Sequence, residues 1–318
     1  MLLRTLPPLP PARVEVASSP AKGAREDGGF RRLVLATDFS PTSERALLFA
    51  SRLLSRGGRI RLLHVVNGRS PGKVPELLIP VRAQTATRLE RDAAQVRGRG
   101  LACSRRLAYG EPHVEIPREA ERFGAEAIAC GTRGLRGLPR LFLGSVAERL
   151  FRTARLPLVI VPPVPFGRSI RHVLFATDFS PASRAALDLL ERLSRERSWN
   201  VTVQHVLEPT LSAASGAVAG SWREMNRRGV AAVAELQAVA DRLRGTGVSA
   251  AERLDAGDPF IRVLRRAREE EADLLVLGTR GPAGPARLFL GSVSSKLVRA
   301  SRCPLLVVPA PPEKGNGR

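Results

Sequence analysis

The chain repeats itself at long range. Leu141-Phe142-Leu143-Gly144-Ser145-Val146 recurs without change at 288–293, and Leu35-Ala36-Thr37-Asp38-Phe39-Ser40-Pro41 recurs as Phe175-Ala176-Thr177-Asp178-Phe179-Ser180-Pro181. His64-Val65 returns as His205-Val206, and Gly110-Glu111-Pro112 returns as Gly257-Asp258-Pro259. Leu156-Pro157-Leu158-Val159-Ile160-Val161-Pro162 returns as Cys303-Pro304-Leu305-Leu306-Val307-Val308-Pro309. Such a duplication requires two similar folds in tandem, and 318 residues suit two domains. The offset is 140 at Asp38, 141 at His64 and 147 from Gly110 onward, so the second copy carries six extra residues between its second and third strands. Those residues fall around 211–220, an Ala, Ser and Gly stretch that reads as a flexible loop.

In copy one, short apolar runs near 32–37, 60–66, 102–108, 126–130 and 158–162 read as strands. Helical patterns near 41–55, 78–98, 112–123 and 144–154 separate them. Continuous apolar runs suit strands covered on both faces, and Pro41 and Pro181 suit the first turn of a helix. The alternation predicts an α/β chain of two tandem Rossmann-like or flavodoxin-like domains. Each would be a five-stranded parallel sheet of order 3-2-1-4-5 with helices on both faces. The expected boundaries are a disordered tail over 1–30, domains over 31–163 and 168–310, and a C-terminal tail over 311–318. Pro162-Pro163-Val164-Pro165 reads as a stiff linker between the domains.

Composition removes several function classes. No apolar run reaches the length that spans a bilayer, and Arg4 with the prolines after it breaks any signal-peptide core. The expectation is a cytoplasmic protein without a membrane partner. Cys103, Cys130 and Cys303 fit neither a metal site nor a disulfide framework, and Cys130 and Cys303, in or beside apolar runs, read as packing thiols. The net charge of +21 comes almost wholly from scattered arginines with few aromatics between them, which reads as solvated surface rather than a nucleic-acid interface.

The chemistry concentrates in one duplicated spacing. Gly131-x2-Gly134, nine residues, then Gly144-Ser145, recurs as Gly278-x2-Gly281, nine residues, then Gly291-Ser292. In an open parallel sheet a ligand sits beyond the carboxyl ends of the strands, where strand order reverses. For the order 3-2-1-4-5 that crevice lies between strands 1 and 4, where Asp38 and Gly131 fall. Glycines without Cβ let backbone approach a ligand. Gly144-Ser145 opens a helix whose free N–H groups favour an anion. Arg133 and Arg140, matched by Arg280 and Arg287, suit screening of polyphosphate charge. Asp38 suits either acceptance from a ribose or adenine group or a helix cap, and Ser145 suits either a phosphate or an N-cap. His64 and His205 read as packed and hydrogen-bonded.

With both copies of the Gly-x2-Gly-x9-Gly-Ser pattern, the Ala-Thr-Asp-Phe-Ser start and the His-Val of strand 2, the chain resembles the universal stress protein family, and its ATP-binding members in particular. The resemblance covers about 30–163 and 168–310. It implies ATP or AMP as ligand, with Mg2+ or Mn2+ as an option bound through the phosphates. Ala36, Asp38 and Val65 would lie against adenine, Cys130 would pack near the ribose or base, and Gly131 and Gly134 would border the ribose and phosphates. Gly144, Ser145 and Val146 would hold the phosphates. The matching set is Ala176, Asp178, Val206, Leu277, Gly278, Gly281, Gly291, Ser292 and Val293. It also implies an intramolecular pseudo-dimer through the last strands, Leu158–Val161 and Leu305–Val308, with further homodimerisation open.

No lysine follows the final glycine, so the motif is not a P-loop. No catalytic residue is assigned, and weak ATP hydrolysis is the most that is expected. The first reading is a nucleotide-dependent stress-response or signalling protein. The alternatives are an ATP-hydrolysing or adenylyl-transferring enzyme, and a basic adaptor for nucleic acid or other anions.

Overall fold

The computed structural model describes residues 28–67, 79–132, 143–153, 155–167, 169–208, 218–279 and 292–311, and the structural statements below concern these. Half one runs β1 (Phe30–Ala36), α1 (Pro41–Ala50), a 3-10 turn (Ser51–Leu53), β2 (Leu54–Val66), α2 (Ile79–Arg97), β3 (Ala102–Tyr109), α3 (Pro112–Phe123), β4 (Ala127–Gly131), α4 (Ser145–Thr153) and β5 (Leu158–Val161). Half two repeats the order as β6 (His172–Ala176), α5 (Pro181–Ser194), β7 (Asn200–Leu207), α6 (Val218–Arg244), β8 (Ser249–Ala256), α7 (Pro259–Glu269), β9 (Leu274–Gly278), α8 (Ser292–Ala300) and β10 (Leu305–Val308).

The strands form one ten-stranded sheet of order β3-β2-β1-β4-β5-β10-β9-β6-β7-β8. Each half therefore has the expected order 3-2-1-4-5, parallel throughout. The halves meet where β10 pairs antiparallel with β5, in the register Leu305↔Ile160, Leu306↔Val159 and Val307↔Leu158. All eight residues of these two strands are buried, and burying each such side chain stabilises by about 1.5–3 kcal/mol.

Alternation along the strands divides the core. Leu33, Leu35, Val159 and Val161 join a cluster with α1, α2, α5 and α6, built on Ala46, Leu89, Leu190 and Leu236. Val34, Leu158 and Ile160 point the other way, to Ile116, Leu150, Val263 and Leu297 of α3, α4, α7 and α8. Both faces of the sheet are thus covered in both halves.

Three local readings are corrected. β1 begins at Phe30, which is fully buried, with Gly28 and Gly29 buried before it, so order starts inside the expected 1–30 tail. The first helix stops at Ala50 rather than 55, because Leu54 already pairs with Phe30. The register then shifts before Arg32↔Arg59, and Gly57 takes φ +74° in between. In half two, 218–220 belong to α6 rather than to a loop, and 209–217 lie outside the described residues. The helix ends match across the copies, so α6, at 27 residues against 19 for α2, takes up the extra length at its N-terminal side.

Candidate functional site

The turn from β1 into α1 is the most constrained piece of the site. Thr37 N–H donates to Leu63 O at 2.8 Å, and His64 Nδ1–H donates to Thr37 O at 2.7 Å, which ties the ends of β1 and β2 together. Phe39 adopts φ 64°, a left-handed conformation unusual for a bulky side chain. Phe39 N–H donates to Thr37 Oγ1, its ring stacks on His64 at 4.5 Å, and Arg88 donates to its carbonyl at 2.9 Å. Half two repeats the device: Phe179 has φ 59°, its ring lies 4.5 Å from that of His205, and His205 Nδ1–H donates to Thr177 O at 2.8 Å. Both histidines are packed and hydrogen-bonded, as their position at a buried strand end predicts. Burial depresses the His64 pKa below 6.5, with Arg88 adding to this and the Thr37 carbonyl and Asp38 opposing it.

Asp38 is not the helix cap. Ser40 caps α1 by accepting from Ser43 N–H, while Asp38 Oδ1 accepts from Ser40 N–H at 3.0 Å and shapes the turn. Asp178 repeats this bond at 3.0 Å and also accepts from Ser183 Oγ at 2.6 Å. Ser145 is not a cap either. Gly144 O accepts the first helical bond from Glu148 N–H, so Gly144 occupies the cap position and Ser145 follows it as an exposed residue at the start of α4.

The glycines ending β4 and β9 have a packing reason. A Cβ on Gly131 would lie 2.8 Å from Thr42 Cγ2, and one on Gly278 would lie 2.7 Å from the Ala182 carbonyl carbon and the Ser183 nitrogen. Neither takes a positive φ. They admit the first turn of the first helix of their own half, α1 or α5, against the sheet rather than making a sharp bend. Thr132 continues from Gly131: its N–H donates to Val161 O at 2.9 Å and its carbonyl accepts from Gly144 N–H at 2.7 Å. The opening of α4 is thereby fixed to the end of β4.

Ala36, Val65 and Val146 border the apolar cluster that buries Cys130, and Ala176 and Val293 border it where it buries Val206 and Leu277. Asp38 is near enough to Cys130 to push its thiol up, although burial is the larger cause of its rise to about 12. Burial likewise raises Cys103 to about 11 and raises Cys303, so all three thiols stay protonated near neutrality. The structure therefore brings Ala36, Asp38, Val65, Cys130, Gly131, Gly144, Ser145 and Val146 to one end of half one. Arg133, Gly134, Arg140, Arg280, Gly281, Arg287 and Gly291 lie outside the described residues.

A cavity of about 310 Å³ opens beside this group, lined by Asn67, Glu111, His113, Ser145, Val146 and Arg149. Arg149 Nη1 donates to His113 Nδ1 at 3.2 Å, and Glu111 Oε2 lies 3.3 Å from His113 Nδ1 and 3.6 Å from Arg149 Nη1. Sequence reasoning noted the Gly-Glu-Pro repeat but missed His113 and Arg149. At the matching offset half two has Phe260 and Lys296, with Lys296 Nζ 5.8 Å from the Phe260 ring centre. A search for repeats passes over positions that differ. The acids differ too: Asp258 Oδ1 caps α7 by accepting from Ile261 N–H at 3.1 Å, whereas the longer Glu111 makes no cap bond and turns to the cavity. Among the described residues no cluster of His, Cys, Asp and Glu is arranged for a metal ion.

The two halves are doubly wound α/β units, and in the first the opening of α4 meets the ends of β1 and β4 at the point where strand order reverses. The universal stress protein family model matches residues 29–162 and 169–309, and the chain belongs to that family. A universal stress protein of Mycolicibacterium smegmatis is 27% identical over 87% of this chain and 96% of its own length. Universal stress protein YxiE of Bacillus subtilis is 30% identical over 43% of this chain and 97% of its own length. A solved universal stress protein from Archaeoglobus fulgidus superposes with TM-score 0.69 at 22% identity, covering 88% of this chain and 99% of that one. No described helix is long and apolar enough to cross a membrane.

Proposed function

We propose that this tandem universal stress protein holds an adenine nucleotide, ATP or AMP, in each half, and that occupancy governs its choice of partner in a stress response. The observation that carries the reading is the fixing of Gly144 to Thr132, which points the opening turn of α4 at the space beyond β1 and β4. The residues present fit such a ligand. Thr132 Oγ1 is buried without a hydrogen-bond partner among the described residues, and Ser145 offers its hydroxyl beside free helix N–H groups. Gly144, Ser145 and Val146 would hold phosphates, with Ala36, Asp38 and Val65 against the base and Cys130 beneath. Arg133 and Arg140 would screen the charge. The second set, Ala176, Asp178, Val206, Leu277, Gly278, Gly281, Gly291, Ser292 and Val293 with Arg280 and Arg287, would act alike.

Mg2+ or Mn2+ would enter with the nucleotide, held through its phosphates. The halves 31–163 and 168–310 would be the functional domains, the β5–β10 seam standing in for a homodimer contact, in a cytoplasmic protein with slow hydrolysis at most. Thermal unfolding with ATP, AMP and GTP tests the reading. Ligand at a hundredfold over Kd adds about 2.7 kcal/mol, so ATP or AMP should raise the midpoint by several degrees and GTP should not. Ser145→Ala with Ser292→Ala should reduce the rise. An unchanged midpoint with both adenine nucleotides would overturn it.

A further inference from the structure

The cavity of about 310 Å³ in half one joins two kinds of wall. Ser145 and Val146 belong to the residues assigned to the phosphates. The rest of the wall comes from Asn67 after β2, from Glu111 and His113 at the opening of α3, and from Arg149 one turn further along α4. The space therefore runs on from the opening of α4 to that of α3. Its volume lies at the lower end of small-molecule sites, which suits one ring rather than a whole nucleotide.

The charges on this second wall cancel. Glu111 Oε2 lies 3.6 Å from Arg149 Nη1, a carboxylate and a guanidinium side by side. A further phosphate would meet the Glu111 carboxylate. A neutral ring with several hydroxyls would meet acceptor and donors together, because a hydroxyl both gives and takes a hydrogen bond. A carboxylate taking a ribose hydroxyl is the pairing by which doubly wound folds hold a sugar. The groups are also available. Glu111 makes no cap bond to α3. His113 accepts from Arg149 at Nδ1, so its hydrogen sits on Nε2, where it has no partner among the described residues.

Half two does not repeat this wall. Asn67, Glu111, His113 and Arg149 have Glu208, Asp258, Phe260 and Lys296 as counterparts. Asp258 is spent on capping α7, and Lys296 Nζ lies 5.8 Å from the Phe260 ring centre. Among the described residues no carboxylate–cation pair stands where Glu111 and Arg149 do.

We propose that half one takes a nucleoside diphosphate that carries a second, hydroxylated ring, while half two takes the nucleotide alone. Adjacent ring hydroxyls would donate to Glu111 and accept from Arg149 and the Asn67 amide, with His113 Nε2–H as a further donor. The proposal rests on the nucleotide reading, since the phosphates at Ser145 bring the ring to this wall.

The test is calorimetric titration of the full chain with ADP, ATP and ADP-ribose. It is repeated with Glu111→Gln and with the double variant His113→Phe, Arg149→Lys, which gives half one the residues of half two. None of the three side chains caps a helix or belongs to the core clusters, so both variants should fold, as circular dichroism checks. One site per chain should bind ADP-ribose about tenfold more tightly than ADP. Both variants should lose that gain and keep their affinity for ADP. ADP binding with no gain for ADP-ribose would overturn the proposal and leave the nucleotide reading standing. A gain that survives both variants would place the ring elsewhere and overturn it too. So would a gain for ATP instead, enlarged by Glu111→Gln, which would assign the wall to a terminal phosphate. No binding of any of the three would remove the nucleotide reading and the proposal together.

Discussion

Gly131 and Gly278 illustrate how one residue type at one motif position answers to two demands. The spacing puts them in the proposed ligand site, and each lies under the first turn of a helix. Gly131→Ala should cost about 1–3 kcal/mol by overpacking. Gly278→Ala should cost more, because its added carbon meets backbone atoms of Ala182 and Ser183, while that of Gly131 meets first the movable Thr42 methyl. Urea denaturation of the two variants checks the ranking. His64 gives a prediction in pH. Its folded pKa is depressed, so its contribution is complete above 6.5. As pH falls below that value the unfolded chain takes up a proton the fold resists, and stability is lost through the folded pKa. The native chain should therefore lose stability more steeply than His64→Gln between about pH 7 and pH 5, as read by denaturant midpoints at each pH. The packed state of His64 was legible in the sequence. The strained Phe39 was not, since no propensity places phenylalanine at positive φ; only the surrounding bonds to Thr37, His64 and Arg88 hold it there.

At the scale of elements, the repeat made strand order and helix placement readable, because two copies must satisfy one topology. What it hid was detail that differs between copies. Leu53 and Leu54 continue the apolar periodicity of α1, so the pattern alone runs the helix on; pairing of Leu54 with Phe30 outweighs it. The longer α6 was likewise hidden in an Ala, Ser and Gly stretch. His113 and Arg149 were invisible for the same reason, having Phe260 and Lys296 as counterparts. The helix-end arginines that clamp each half to the other were read only as surface charge. Arg192→Ala removes a hydrogen bond to Gly29, an ion pair with Glu126 and a ring contact with Phe30. It should destabilise the chain by about 1–2 kcal/mol, measured by the denaturant midpoint, whereas loss of an exposed arginine such as Arg149 should stay within about 0.5 kcal/mol.

For the whole molecule, the antiparallel β5–β10 contact makes one sheet from two parallel ones and covers two apolar edges that would otherwise invite pairing. A fragment of residues 28–165 would expose β5, and it should associate into a dimer that sedimentation velocity detects; a stable monomer would contradict this role for the seam. The central claim is that both copies of the glycine–serine pattern hold an adenine nucleotide. The most direct measurement is calorimetric titration of the full chain with ATP and magnesium, beside the double variant Gly144→Val, Gly291→Val. The account predicts saturable binding approaching two nucleotides per chain, abolished in the variant while its fold persists by circular dichroism. No binding to the native chain, or equal binding to the variant, would contradict it.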